Sequence, residues 1–194
     1  MNETISTLLS RRSIRKYTDQ KVSQEDLDLI LECGLYAASG GNHQVARFTV
    51  IENPDVLEAL NTLVRSEFRK MEPDGNLYWN TAIRSSHNNP NYDFSFHAPV
   101  LILATAPAGW HNGMADCAGA LQNIQVAAAS LGLGACWVNQ LHWLTENHAL
   151  RTYLESLGIS YQEEIYGSVV IGHPQLPPPK APIRKENRIT FIRS

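Results

Sequence analysis

Apolar and polar positions change period along this chain and mark out its elements before any chemistry is considered. Ile5, Leu8 and Leu9 fall on one face of a short helix predicted over 2–10, with Asn2 as its cap. Ser23, with Asp26 three residues on, has the form of a capping box, and Leu27, Ile30, Leu31, Gly34, Leu35 and Ala38 then recur at the helical period over 24–38. Asp55 is the expected cap of an amphipathic helix carried by Leu57, Leu60, Leu63, Val64 and Phe68. Thr145 is the expected start of another, through Leu150, Tyr153, Leu154 and Leu157 to Gly158. The runs 48–51, 100–105 and 165–171 read as strands, the second apolar enough to be central, and Gly167 marks a bulge or a close approach in the third.

The stretch 116–138 is the most informative. Ala118, Leu121, Ile124, Val126, Ala127, Ala128 and Leu131 make a helix apolar almost all round, which must be buried on most sides. Gly132-Leu133-Gly134 stops it, and Ala135-Cys136-Trp137-Val138 follows as a short strand ending at the amides Asn139 and Gln140. The balance is α+β, a small sheet enclosed by helices. Phe94 and Phe96 alternate towards the 100–105 strand and read as core. Residues 71–91 show no helix or strand pattern, and a loop of that length reads as a lid, a substrate loop or disorder. Tyr78 and Trp79 stand within it in polar surroundings, as candidates for a wall that stacks on a flat substrate. Prolines at 174 and 177–179 make a stiff spacer, so that 174–194 reads as an extended basic arm. Its strand-like Ile189-Thr190-Phe191-Ile192 suits a distant sheet edge or another subunit.

With 194 residues, 43% of them hydrophobic, the chain suits one domain over 1–194. A formal charge of −3 offers no electrostatic footprint for nucleic acid. No apolar run approaches the roughly 18 residues that span a membrane. Cys33, Cys117 and Cys136 lack paired spacing and sit in apolar stretches, which points to buried thiols in a reducing cytoplasm. The seven histidines lack metal-ligand spacing, so no metal is expected. Gly132-Leu133-Gly134 follows a helix and precedes a strand, the reverse of a dinucleotide fingerprint.

Several blocks, in order, carry a resemblance: Arg11-Arg12-Ser13-Ile14-Arg15-Lys16-Tyr17, Ala38-Ser39-Gly40-Gly41-Asn42-His43-Gln44, His97-Ala98-Pro99-Val100, the buried helix with Cys136-Trp137-Val138-Asn139, Gly172-His173-Pro174, and Arg184-Lys185-Glu186-Asn187-Arg188. Together they span 11–188, and the chain resembles the flavin-dependent nitroreductase family. The resemblance implies a nitroreductase-like α+β fold with a mostly antiparallel sheet, and a homodimer of domain-swapped type with FMN at the subunit interface. It implies an oxidoreductase in which NADH or NADPH, a transient electron donor, reduces the flavin before a nitroaromatic, quinone or activated alkene takes its place. No acid–base side chain of the protein's own is required. Alternatives are a flavin-fragmenting or dehalogenating member of the same fold, and a non-catalytic FMN-binding or sensing protein.

Alone, Arg11-Arg12 is a solvated basic turn and Ser39-Gly40-Gly41-Asn42 a glycine-rich helix terminator. The resemblance assigns Arg11, Arg12 and Ser13 to the flavin phosphate and ribityl chain, with Arg184 and Lys185 as a second basic group on the phosphate. It assigns Arg15 to the pyrimidine edge, and Ser39, Asn42 and Gln44 to the flavin of the partner subunit. It gives the backbone amide that meets flavin N5 to Gln140, with Asn139 beside it. Val45-Ala46 stands where the family usually has proline and a bulky aromatic.

Overall fold

The computed structural model describes residues 1–75 and 78–193. Alternation along its central strand decides the architecture. β2 (Val100–Pro107) sends Leu101 and Leu103 to one apolar cluster and Val100, Ile102, Ala104 and Ala106 to another, as a strand buried on both faces must. It pairs antiparallel with β1 (Arg47–Ile51) and with β4 (Glu163–Gly172), and β4 pairs antiparallel with β3 (Gly134–Val138), giving the order β1-β2-β4-β3. Helices α2 (Gln24–Leu35) and α5 (Gly113–Ser130) cover one face. Helices α3 (Pro54–Phe68), α4 (Asn80–Asn88), α6 (Gln140–Trp143) and α7 (His148–Ser156) cover the other. The fold is the α+β arrangement expected from the sequence, a small antiparallel sheet wrapped by helices.

A bulge in β4 sets the geometry near the end of β3. Ala104 faces Gly167 but Thr105 faces Ile165, so Tyr166 is an extra residue and the side-chain phase flips there. Ile165 and Val170 consequently join one cluster, and Tyr166, Val169 and Ile171 the other. Gly167 lies against the Trp137 indole, where a Cβ would stand 2.6 Å from Cζ2. This is the close approach that the glycine marked in the sequence. The helix apolar on most sides is α5, with Cys117, Leu121, Ile124, Gln125 and Ala128 among its buried residues, and Gly132 stops it at φ 75°.

Some expectations need correction. The cap of α3 is Asn53, whose side chain accepts from the N–H groups of Asp55 and Val56, with Pro54 at the first helical position. Asn147, rather than Thr145, caps α7. Segment 71–91 is not wholly irregular, because α4 lies within it; Ala82 and Ile83 are that helix's only apolar residues, too few to show a period. Phe96 is half-buried rather than fully core, and Cys33 is exposed. Helix α1 (Glu3–Ser10) is capped by Asn2 as expected but buries none of its residues, leaving Ile5, Leu8 and Leu9 open to solvent. Residues 175–193 are exposed throughout, and 189–192 form no strand within the single chain. No helix among the described residues is long and apolar enough to cross a membrane, and no group of three or more His, Cys, Asp or Glu among them is placed to hold a metal ion.

Candidate functional site

The segment after α1 is laced along the end of the sheet. Ser13 bridges Ala135 in parallel, the Ile14 N–H donates to the Ala135 carbonyl at 3.0 Å, and the Thr18 N–H donates to the His173 carbonyl at 2.9 Å. The Tyr17 hydroxyl donates back to the Ile14 carbonyl at 2.6 Å, and burial pushes its pKa well above the ordinary phenol range. These bonds bring Ser13 and Arg15 to the place where β3 leaves the sheet. There they meet Trp137, Val138, Asn139 and Gln140 around a cavity of about 300 Å³, closed by Tyr78, Phe96 and Trp143.

Aromatic groups dominate the walls. Trp143 meets Tyr78 edge-on with ring centroids 5.7 Å apart, while Trp79 stands behind Trp143 at 6.4 Å and packs on the core. Of the two substrate candidates, Tyr78 therefore lines the cavity and Trp79 supports its wall. The Arg15 guanidinium lies over the Phe96 ring at 5.8 Å. Phe96 and His97 are both left-handed, at φ 57° and 55°, a conformation that bulky residues adopt only when their surroundings enforce it. Asp93 does so here, accepting from the Ser95 N–H at 2.7 Å and pairing with His97 at 2.8 Å. On the other side the Gln140 Nε2 donates to the Tyr92 hydroxyl at 3.0 Å, and burial raises the Tyr92 pKa to about 12. The Trp137 Nε1 donates to the Asn139 Oδ1. As the first residue of α6, Gln140 has a backbone N–H with no intrahelical acceptor.

Positive charge beside the cavity is incompletely matched. Arg11 Nη1 and Arg12 Nε are buried without hydrogen-bond partners. Arg12 Nη1 donates to the carbonyls of Leu9 at 2.8 Å and Arg11 at 2.6 Å, capping the C-terminus of α1. A multi-oxygen anion would satisfy the two orphaned donors. Cys136, buried beside Ser13 and Arg15, has its thiol pushed up by burial, against the opposing pull of the two arginines Arg15 and Arg11. This donor set fits the phosphate of FMN, and the aromatic cavity fits a flat ring.

The other assigned residues lie elsewhere on the chain. Ser39, Asn42 and Gln44 belong to the loop around a 3-10 turn, Gly40–Asn42, in which Gly41, Asn42 and Gln44 all have positive φ. The Ser39 Oγ accepts the Gln44 N–H at 3.0 Å, and the Gln44 Nε2 donates to the Asn42 Oδ1 at 3.1 Å. Ser39 and Gln44 line a separate recess of about 160 Å³ with Asp116. Arg184 and Lys185 stand exposed on the arm and do not line the aromatic cavity. Trp143 and Phe96 were missed as wall residues in the sequence: Trp143 sits between two predicted elements, and Phe96 shares its alternation with a core strand.

The chain is similar to known proteins over most of its length. The model of the Nitroreductase family matches residues 8–173. A crystal structure of a nitroreductase with bound FMN from Bacteroides fragilis is 32% identical, with a TM-score of 0.90 and all of both chains covered. The NADPH-flavin oxidoreductase of Vibrio harveyi is 26% identical over 183 residues, 94% of this chain and 70% of that protein. An Archaeoglobus fulgidus protein, provisionally named an NADH dehydrogenase/NAD(P)H nitroreductase, is 28% identical over 175 residues, 90% of this chain and 87% of that one. With its fold shared from end to end and the family model matched over most of its length, the chain belongs to the Nitroreductase family.

Proposed function

We propose that this protein is an FMN-dependent oxidoreductase that takes electrons from NADH or NADPH and passes them to a flat, electron-poor acceptor: a nitroaromatic, a quinone or an activated alkene. The observation that carries the reading is the pair of buried, unmatched guanidinium donors on Arg11 and Arg12 next to an aromatic cavity. Bound FMN supplies a centre that accepts a hydride and gives it up again. Arg11, Arg12 and Ser13 hold its phosphate and ribityl chain, with Arg184 and Lys185 of the arm completing the charge. Arg15 faces the pyrimidine edge, where a cation stabilises the negative charge that reduction places on the ring. The backbone N–H of Gln140, beside Asn139, has no intrahelical acceptor and would donate to N5 of the bound flavin. Arg15 is the only charged side chain lining the cavity among the described residues, which favours acceptors rich in oxygen or carrying negative charge. Donor and acceptor share one space over the ring, so turnover is ping-pong.

A homodimer belongs to the same reading. One chain carries two half-sites on different recesses, the Arg15 cavity and the Ser39–Gln44 loop, and a second copy joins them. The uncovered apolar face of α1, with Ile183, Ile189, Phe191 and Ile192 exposed on the arm, supplies surface for that association.

The test is an anaerobic mix of FMN-loaded protein with NADH and, separately, NADPH, following the flavin absorbance. Rapid bleaching, reversed by a quinone or nitroaromatic, supports the proposal. Protein that holds FMN yet bleaches with neither donor would turn the reading to a flavin-fragmenting or non-catalytic member.

A further inference from the structure

A buried carboxylate outside the aromatic cavity ties two distant pieces of chain together. Asp116, in the first turn of α5, is only 5% exposed. Its Oδ1 accepts the backbone N–H of Gly40 at 2.9 Å, and its Oδ2 accepts the Nε1–H of Trp110 at 3.2 Å. No cation pairs with it among the described residues, so two neutral donors and the N-terminal end of α5 balance a buried negative charge. The Trp110 ring in turn meets His43 edge-on, with centroids 5.0 Å apart. Asp116, Gly40, His43 and Trp110 thus close a ring of contacts around the base of the 3-10 turn.

That turn needs an external hold. Asn42 and Gln44 are left-handed without being glycine, and such conformations persist only where the surroundings over-determine them. The side-chain hydrogen bonds among Ser39, Asn42 and Gln44 are internal to the loop. The bond from Gly40 to Asp116 reaches across 76 residues to the body of the protein. Gly40 also sits so close to the start of α5 that a Cβ would lie 2.1 Å from the Asn112 amide nitrogen.

We propose that Asp116 is a positioning residue for the cofactor: through Gly40, and through Trp110 and His43, it fixes the Ser39–Gln44 loop in its flavin-contacting shape before flavin arrives. The inference rests on the proposed role of that loop at the flavin. A loop held ready loses less conformational freedom on binding, and FMN then binds more tightly.

Asp116→Asn keeps the shape of the side chain but removes its charge and one acceptor, and Trp110→Phe removes the indole donor and trims the ring that meets His43. In full-length protein stripped of FMN, each variant is titrated with FMN by flavin fluorescence, with the visible spectrum of the bound flavin and the thermal midpoint of the apoprotein recorded alongside. Asp116→Asn is expected to weaken FMN binding by at least about tenfold, as loss of a hydrogen bond to a charged group does. The bound flavin spectrum should shift, and Trp110→Phe should give a smaller change of the same sign even if Asp116→Asn folds poorly. Wild-type affinity and spectrum in both variants would overturn the inference, and so would an affinity loss that merely tracks a lower apo midpoint with an unchanged spectrum. Ser39→Ala and Gln44→Ala separate the two levels: if they weaken FMN binding while the Asp116 and Trp110 variants do not, positioning alone fails, and if they have no effect, the loop's role falls and the inference with it.

Discussion

Replacing Gly167 by alanine tests how the sheet holds the wall of the cavity. The new Cβ would stand 2.6 Å from Trp137 Cζ2 and 3.0 Å from both Trp137 Cε2 and Leu121 Cδ1, whereas ordinary contact begins near 3.4 Å. The indole or the strand must therefore move by roughly 0.8 Å (3.4 − 2.6). Overpacking of this kind costs about 1–3 kcal/mol. At about 2–4 °C per kcal/mol for a domain of this size, the apoprotein should melt roughly 2–12 °C lower. Trp137 lines the cavity and donates to Asn139, so the displacement is transmitted to the residues assigned to the flavin edge. A site tolerates only about 0.5 Å of misplacement before function suffers, and FMN affinity should fall together with the melting temperature. Thermal scans of the apoprotein and fluorescence titration with FMN measure both. Adding Trp137→Phe makes room for the methyl group, and the double mutant should recover part of the stability, with an interaction energy of about 0.5–3 kcal/mol. Melting and FMN affinity both within about 0.5 kcal/mol of wild type, or strict additivity with Trp137→Phe, would refute the reasoning.

Replacing Arg184 and Lys185 together by alanine should weaken FMN retention, more at low salt than at high, because the phosphate loses charge-assisted partners; unchanged affinity across a salt series removes the arm from the site. Trp143→Ala opens the wall beside Tyr78 and should alter KM ratios among quinone, nitroaromatic and alkene acceptors by several-fold (about 1 kcal/mol for a lost aromatic contact), beyond any change in FMN affinity, which would affect every acceptor alike. Equal shifts for every acceptor would count against a substrate wall. Glu67, on α3, has its carboxyl held below the ordinary value of 4.5 chiefly by its bond with Lys70, helped by Asn147. A depressed folded-state pKa contributes stability that is present above the unfolded value and lost as pH falls through the lower folded one. Glu67→Gln should therefore be less stable than wild type at pH 7, with the gap closing in urea titrations carried out below about pH 4.

How far the sequence could be read differs between elements for physical reasons. Strand β2 was plain because burial on both faces leaves a nearly unbroken apolar run, helix α5 because its small and apolar residues outnumber the few polar ones of its exposed stripe, and Gly167 because only a residue without a side chain fits under Trp137. Helix α4 was hidden because it touches the core through little more than Ile83, and its remaining surface is polar. The true caps Asn53 and Asn147 each stood two residues from Asp55 and Thr145, residue types that compete for the same role. At the site, Arg11–Arg15 and Asn139–Gln140 were placed by resemblance, and the structure sets Ser13, Arg15, Asn139 and Gln140 around one cavity. Trp143, Tyr92 and Asp116 gave no signal, because their roles arise from contacts across long separations in the chain, the longest being the 76 residues between Gly40 and Asp116.

The raised pKa of Cys136 bears on oxidative chemistry. Reduced flavins react with dioxygen to give peroxide, and in the proposed site that peroxide would form within reach of Ser13 and Arg15, the neighbours of this thiol. Peroxide attacks thiolates, whose abundance follows the thiol pKa and exposure. With 1% of its surface open and its proton held by burial, Cys136 is a poor target in spite of two arginines that favour the anion. The same burial that packs β3 against the core thus shields the Cys136 sulfur, next in the chain to Trp137 of the cavity wall, from peroxide that idle turnover would release.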